Sequence, residues 1–196
     1  YLTGGKLQAE VLLRGSEPTL SQLVVERDVT LTERRSGPNE RPPLKVTCDH
    51  LFLRQPNPTQ ALLTLTGEPA HVEAGGMGLD GGQIQLDRAK NHLWIDGPGV
   101  MSVEGRVNEA AATGPLAAGG PMRVVWAGRM DFDGQAAIVS EEVVARTDAQ
   151  SLTTEWMQVR LDRRVDFANP QSDQQPEVAT VDCRGGVLLE SKETTP

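Results

Sequence analysis

The sequence predicts an all-β fold of antiparallel strands, each with one apolar face. Apolar and polar residues alternate with a period of two, as at Leu44, Val46 and Cys48, and again at Ile84 and Leu86. Twenty glycines and 13 prolines cluster in polar stretches between short apolar segments. A strand unit also recurs along the chain. Its apolar faces must be covered by a second sheet or by a closed coil.

Length and charge limit what the chain can do. Its 196 residues suffice for one domain, and 27 acidic against 19 basic residues give a formal net charge of -8. That balance opposes binding to a nucleic-acid backbone or to anionic lipid head groups, because both require clustered Lys and Arg. The longest apolar runs, such as residues 136–139, are too short to span a bilayer. Because of its net negative charge, we expect the chain to have no nucleic-acid partner.

Polar stretches divide the chain without splitting it into domains. We expect a single domain over residues 1–196, as an excerpt of a longer chain, with a flexible Ala/Gly-rich insertion at about 105–121. Residues 140–150 begin like a helix but lack a sustained apolar stripe, and we predict a strand there. The polar breaks are residues 33–43, 55–60, 105–121 and 168–177.

The recurring unit begins with a small residue and places apolar residues at its fourth and sixth positions. The cysteines occupy the small-residue position in two copies, which favours two buried, unpaired thiols; one long-range disulfide is the alternative. The copies begin at Ala9, Cys48, Gly81, Ala127, Thr154 and Cys183.

A second type of segment alternates with the first. Residues 63–72 (LTLTGEPAHV) match residues 93–100 (LWIDGPGV), and residues 23–31 form a looser version. Each reads as two short strands joined by a bend, because Gly and Pro in the middle suit a corner between two sheets. We expect the two chain termini to lie at opposite ends of the stack of strands.

This alternation of two segment types resembles the OstA-like family of lipopolysaccharide transport proteins, including its LptA type. The clearest stretches are residues 44–72, 79–103, 126–132 and 152–159. The resemblance implies a folded-over pair of antiparallel sheets, the β-jellyroll or β-taco, with an apolar interior that holds lipid acyl chains. It also implies a place in the periplasm or cell envelope and a role in lipopolysaccharide transport or outer-membrane assembly. Members of the family stack end to end, so partner OstA-like domains or copies of this chain are expected as well.

The expected ligand is a lipid or lipopolysaccharide-type amphiphile, held without catalysis or cofactor. Aliphatic residues dominate the apolar positions, and these suit a groove for flexible acyl chains better than a platform for sugars or bases. An interior simply filled by its own side chains has the same period-two pattern. The candidate lipid-binding residues are the fourth- and sixth-position side chains Leu51, Leu53, Ile84, Leu86, Met130, Phe132, Met157 and Val159.

Two alternatives to amphiphile binding are considered. A structural or assembly module could stack by edge-strand addition without any ligand. A β-helix enzyme acting on polysaccharide could use paired carboxylates such as Asp162 and Asp166, although such folds have a tighter period than the one found here.

Other motifs give weak signals for chemistry. Residues 76–81 (GMGLDG) fit a dinucleotide-binding fingerprint, but a strand pattern follows where a helix is required, so we predict a Gly-rich turn. His50, His71 and His92 occupy different phases of the repeat, and we expect them to be solvent-facing or locally bonded and not metal ligands. Asp133 and Gly134 suit a hairpin turn better than a calcium loop. We expect no catalytic residues and no metal site.

Overall fold

The computed structural model is built almost entirely of β-strands. It describes residues 1–14, 17–32, 44–57, 60–74, 76–103, 121–167 and 178–191. Within these ranges the chain forms no helix, and hence none that could cross a membrane. The strands of these ranges are β1 (Leu2–Thr3), β2 (Lys6–Arg14), β3 (Glu17–Thr32), β4 (Lys45–Asn57), β5 (Gln60–Ala74), β6 (Met77–Asp87), β7 (His92–Asp96), β8 (Gly99–Val103), β9 (Met122–Trp126), β10 (Arg129–Phe132), β11 (Ala136–Arg146), β12 (Gln150–Leu161), β13 (Val178–Arg184) and β14 (Leu188–Ser191).

All of these strands belong to one antiparallel sheet. Its main path runs β1-β3-β4-β5-β6-β7-β10-β11-β12-β13, with β2 beside β3 and β14 beside β12. The strands β8 and β9 complete a second path between β6 and β11. Described residues near the two termini therefore lie at opposite ends of the stack, as the sequence predicts.

The chain bends in every strand, or between consecutive short strands, along one line that crosses the sheet. The pairing register shifts between Glu26 and Val29 in β3, and equivalent shifts occur in β4, β5 and β11. Left-handed backbone at Arg27, Asp28, Glu141 and Glu142 turns the chain there. We call this line of bends the corner. It passes through residues 4–5, 27–28, 49, 67–69, 82, 97–98, 127–128, 141–142, 155 and 185–186.

The corner divides the sheet into two walls that face one another. The front wall contains β2, β7, β10 and β13, and the back wall contains β1, β8, β9 and β14; the long strands contribute a half to each. Apolar residues of both walls are buried in one cluster, so the walls must face each other across it. This folded-over arrangement confirms the predicted all-β, two-layered fold.

Strand register lines up the apolar residues of the front wall into two rows that cross ten strands. In each row, every member lies directly opposite the next. The inner row, nearer the corner, is Leu7, Val25, Leu51, Leu65, Ile84, Ile95, Met130, Val139, Met157 and Cys183. The rim row is Ala9, Leu23, Leu53, Leu63, Leu86, Leu93, Phe132, Ala137, Val159 and Val181.

The back wall supplies the opposing apolar surface through a third row. Within it, Val124 and Leu152 are fully buried, and Val46 is 1% exposed. The back row is Leu2, Leu31, Val46, Val72, Leu79, Met101, Val124, Ala145, Leu152 and Leu189.

The predicted corners lie where the chain bends, at residues 67–69 and 97–98. The strand predicted at residues 140–150 is confirmed for residues 140–146, which lie in β11, whereas residues 147–149 connect β11 to β12. Asp133 and Gly134 form the turn between β10 and β11, as predicted. The predicted start of the first strand unit was wrong. Leu7 and Ala9 occupy the inner and rim rows, so that unit begins at Gly4 and not at Ala9.

The sixth copy, predicted to begin at Cys183, was also wrong. Units that begin at Cys48 or Gly81 run from the corner to the rim, whereas β13 is antiparallel to β12 and runs from the rim to the corner. Residues 181–189 therefore belong to the second segment type, with Val181 in the rim row, Cys183 in the inner row and Gly185 at the corner. Short apolar alternations read alike in both directions, which explains the error.

The break predicted at residues 55–60 and the Gly-rich turn predicted at residues 76–81 were wrong for most of their length. Residues 55–57 continue strand β4, and β5 already begins at Gln60, so the polar stretch 55–60 is largely strand. In residues 76–81, only Gly76 is a turn residue, with φ 79°; the rest enters β6. The predicted insertion at 105–121, apart from Pro121, and the breaks at 33–43 and 168–177 lie outside the described part of the chain.

Both cysteines are free thiols, as the sequence favours, but the predicted burial is confirmed only for Cys48, because Cys183 is half-buried. Cys48 is buried beside the corner of β4, and Cys183 ends the inner row. Burial, followed by the neighbouring Asp49 carboxylate, raises the pKa of the Cys48 thiol to about 11. Little reactive thiolate therefore exists at neutral pH.

The corner tolerates no extra atom at Gly99, which lies opposite Trp126. A Cβ there would lie 2.8 Å from the Asp80 carbonyl oxygen and 2.8 Å from Cε2 of Trp126. We expect Gly99→Ala to lower the free energy of unfolding by about 1–3 kcal/mol through overpacking. Urea denaturation measures this change.

Gly82 provides the matched control, because a Cβ added there meets nothing within 4 Å. We expect Gly82→Ala to change the free energy of unfolding by less than about 0.5 kcal/mol. Equal effects of the two substitutions would contradict the described packing at the corner.

Candidate functional site

The strand ends that lie farthest from the corner border the apolar interior, and we call this border the mouth. The rim row borders this mouth on the front wall. Its exposure changes along the sheet: Leu93, Phe132, Ala137 and Val159 are only 5–8% exposed. Leu23, Leu53, Leu63 and Leu86 are half-buried. We call these last four residues the open mouth.

The structure places all eight predicted lipid-binding residues on one face, in two adjacent rows. The four in the inner row are sealed, with exposures of 0–3%; they are Leu51, Ile84, Met130 and Met157. The four in the rim row differ among themselves. Phe132 and Val159 are buried, whereas Leu53 and Leu86 are half-buried and belong to the open mouth.

The packed inner row changes where a ligand could enter. Side chains fill the level nearest the corner, so the interior there is a core and not an open cleft. A ligand could reach apolar surface at the rim row, where β3 to β6 leave it partly uncovered.

Sequence reasoning missed Leu23 and Leu63, which complete the open mouth. Leu23 lies opposite Leu53, which lies opposite Leu63, and Leu63 lies opposite Leu86. Both begin the second type of segment, in which no lipid-binding residue was predicted. Pairing the two segment types in antiparallel register would have placed them beside Leu53 and Leu86.

The open mouth is an aliphatic stripe about 14 Å long, from four strands at a spacing of about 4.8 Å. Leu31 and Val72 of the back row are also partly buried, and they lie on strands β3 and β5, which contribute to the stripe. Leu and Val side chains offer non-directional dispersion contacts and no hydrogen bonds. Such a surface suits an alkyl chain in any rotational state.

Two cavities of the described residues lie elsewhere, beside the corner. One, of about 560 Å³, is lined by polar groups including Arg27, Asp49 and Glu68. The other, of about 500 Å³, is lined by residues that include Asp80, Arg123 and Trp126. Neither opens onto the rim row.

The three histidines are separated as the repeat phases predict. His50 is exposed at the corner. The Nδ1 atom of His71 lies 2.7 Å from Oδ1 of Asp80, and His92 stacks on Trp94 with ring centroids 4.8 Å apart. Local bonding is therefore confirmed for His71 and His92. Within the described ranges, no group of three or more His, Cys, Asp or Glu side chains is placed to hold a metal.

A polar network covers the outer face of the front wall at β7 and β10. Arg129 donates hydrogen bonds to Asp131 and to Oδ1 of Asp96, the latter at 2.6 Å. His92 Nε2 lies 2.8 Å from Oδ1 of Asp131. The Arg129 hydrogen bond lowers the pKa of Asp131; partial burial opposes this effect, and His92 reinforces it. Because its oxygens are occupied, Asp131 is better suited to hold two strands together than to accept a proton from a substrate.

The carboxylates proposed for polysaccharide chemistry lie on the segment after β12. Asp162 accepts a hydrogen bond of 2.7 Å from Nη2 of Arg163, and Asp166 is exposed. Every strand pair in the described ranges is antiparallel, whereas β-helix folds stack parallel strands. The β-helix alternative was therefore wrong about the architecture.

No protein-family model matches the chain, and no curated protein matches it.

The Asp131 network makes stability depend on acidity. Because the folded-state pKa of Asp131 is lowered, its contribution is present above about pH 4, the unfolded value, and is lost as the pH falls through the folded-state value. The pair is partly solvent-exposed, so Asp131→Asn should reduce the free energy of unfolding by at most about 1 kcal/mol at neutral pH. Urea denaturation at neutral pH and near pH 3 measures the difference.

We expect the gap between wild type and Asp131→Asn to shrink towards zero at the acidic pH. Asp182 lies on the same outer face of the front wall, in register with Asp131 across β11 and β12. Asp182→Asn is therefore the control and should have little effect at either pH. A destabilisation of Asp131→Asn that is equal at both pH values would show that lost packing, and not lost charge, is responsible.

Proposed function

We propose that this protein is a non-catalytic domain of the cell envelope that binds the alkyl chains of a lipopolysaccharide-type amphiphile at its open mouth. The observation that supports this best is the uncovered part of the rim row, where Leu23, Leu53, Leu63 and Leu86 form one aliphatic stripe. The resemblance to the OstA-like family adds the envelope, the periplasm and a role in lipopolysaccharide transport or outer-membrane assembly.

The binding energy would come from removing alkyl chain from water. Each buried methylene contributes about 0.8 kcal/mol, so a chain lying across four strands would gain several kcal/mol before its loss of freedom is subtracted. The polar part of the amphiphile would remain outside the mouth in solvent. Such a site needs no catalytic group and no cofactor.

A second function, end-to-end assembly, is favoured by the two ends of the sheet. Leu7 ends the inner row and is 59% exposed; Leu189 ends the back row and is 42% exposed. Among the described strands, β2 pairs only with β3, and β14 pairs only with β12. Exposed apolar row ends beside unpaired strand edges suit strand addition by another such domain or by a copy of this chain.

Adjacent leucines on opposite faces of β5 test amphiphile binding. Leu63 belongs to the open mouth, whereas Leu62 pairs with Arg54 and Asp87 on the outer face. We expect Leu63→Ser to raise the dissociation constant of a dansylated fatty acid by about five- to tenfold, because a half-buried Leu contributes about 1 kcal/mol. The dissociation constant of lipopolysaccharide, measured by displacement of that fatty acid, should rise by a similar factor. Fluorescence titration measures both.

Leu62→Ser is the matched control and should bind as the wild type does. Equal weakening by the two substitutions would place the ligand elsewhere. No binding of the fatty acid or of lipopolysaccharide to the wild type would refute the proposed function.

Sedimentation velocity over a range of concentrations tests the assembly function. If the chain stacks, Leu7→Asp and Leu189→Asp should each abolish concentration-dependent association, because a charge replaces the apolar end of a row. Val125→Asp, on the outer face of the back wall, is the control and should leave association intact. Association unaffected by either end substitution would exclude stacking through the row ends.

A further inference from the structure

A short segment after β12 covers part of the mouth. We call residues 162–167 the strap. At its beginning, the backbone N–H of Leu161 donates to the Gln135 carbonyl at 2.8 Å, and farther along that of Val165 donates to the Gly134 carbonyl at 2.6 Å. The strap therefore leaves β12, crosses the β10–β11 turn and runs along the rim of the front wall towards β7.

Asn91 anchors the far end of the strap. Its side-chain Nδ2 donates to the Val165 carbonyl at 2.8 Å, and its Oδ1 accepts from the backbone N–H of Phe167 at 2.8 Å. Asn91 has φ 54°, a left-handed conformation that Asn adopts more readily than most residues. The Asn91 side chain thus holds two backbone groups of the strap, one on each side of residue 166 in the sequence, to the turn between β6 and β7.

The strap contributes apolar side chains to the interior. The Phe167 ring packs edge-on against Phe132 of the rim row, with centroids 5.9 Å apart, and Val165 also packs against the core. Leu93 in β7 and Phe132 in β10, which lie on the strap's side of Asn91, are each 8% exposed. Leu86 in β6, on the opposite side of Asn91, is half-buried. The boundary between the covered and the open part of the rim row thus lies between β6 and β7, at Asn91.

We propose that Asn91 and Phe167 set the length of alkyl chain that the mouth accepts, an inference that rests on the function proposed above. Phe167 ends the uncovered stripe at β7, and beyond Leu23 the rim row offers only the small side chain of Ala9, so a chain finds large aliphatic side chains only along β3 to β6. That distance is about 14 Å, close to the extended length of a dodecyl chain. Affinity should therefore rise with alkyl length up to about twelve carbons and then level off, because longer chains project past the open end of the stripe into water.

The closing experiment compares dodecyl and hexadecyl maltoside, both below the concentration of micelle formation, as competitors of the dansylated fatty acid. Wild type should bind the two with dissociation constants within about twofold, because the extra methylenes find no apolar contact. Phe167→Ala removes the end of the stripe. Hexadecyl maltoside should then bind at least about tenfold more tightly than dodecyl maltoside. Phe52→Ala, on the outer face of β4, is the matched control and should retain the wild-type ratio.

A second variant, Leu86→Ser, guards against a strap variant that fails to fold. It replaces the half-buried last side chain of the stripe by a polar one and so shortens the stripe by one strand. Wild type should bind dodecyl maltoside more tightly than octyl maltoside, and this advantage should be lost in the variant. A wild-type preference of tenfold for hexadecyl over dodecyl overturns the inference, as do unchanged ratios in folded Phe167→Ala or in Leu86→Ser. If no maltoside and no fatty acid binds to the wild type, the proposed function fails too; binding without a length limit overturns the inference alone.

Discussion

The structure depends on one constraint: the bends in all strands of the sheet must lie along one line, the corner. Only then can a single antiparallel sheet fold over and bury apolar residues of both halves against each other. Different residues meet this requirement in different layers, with Gly and Pro at residues 67–69 and left-handed backbone at Arg27 and Glu141. Gly99 opposes Trp126 without a side chain of its own, so the bend there is also a site of close packing. A bend displaced by one residue would move the following residues to the opposite face of the sheet.

The common bend explains why the function is proposed at the mouth and not along the whole interior. Residues near the corner are packed from both walls, and exposure in the inner row falls to 0–3% from Val25 in β3 to Met157 in β12. Farther from the corner the walls no longer seal each other, and coverage depends on added segments. The strap supplies that coverage beside Phe132, whereas Leu53, which the strap does not reach, is only half-buried. The same fold thus combines a stable core with an apolar surface of limited length.

Much of this arrangement follows from local sequence. Period-two alternation predicts the strands and their inward faces, and the Gly and Pro residues at 67–69 and 97–98 predict the bends, because both signals lie within a few residues. Strand direction was less accessible, since Val181 and Cys183 alternate alike when read from either end. The strap was not predicted, because Asn91 meets Val165 across 74 residues and no local pattern encodes that contact. Burial of Met130 and Met157 similarly depends on how closely the opposite wall approaches.

The most direct test of the account follows leucine methyl groups by NMR during titration with dodecyl maltoside. We expect the methyl resonances of Leu23, Leu53, Leu63 and Leu86 to shift together and to saturate, because these side chains form one continuous stripe. The methyls of Leu152, which is fully buried in the back wall, should remain unchanged. Saturable shifts confined to Leu7 and Leu189 at the sheet ends, or no saturable shift at all, would contradict an alkyl-binding site at the open mouth.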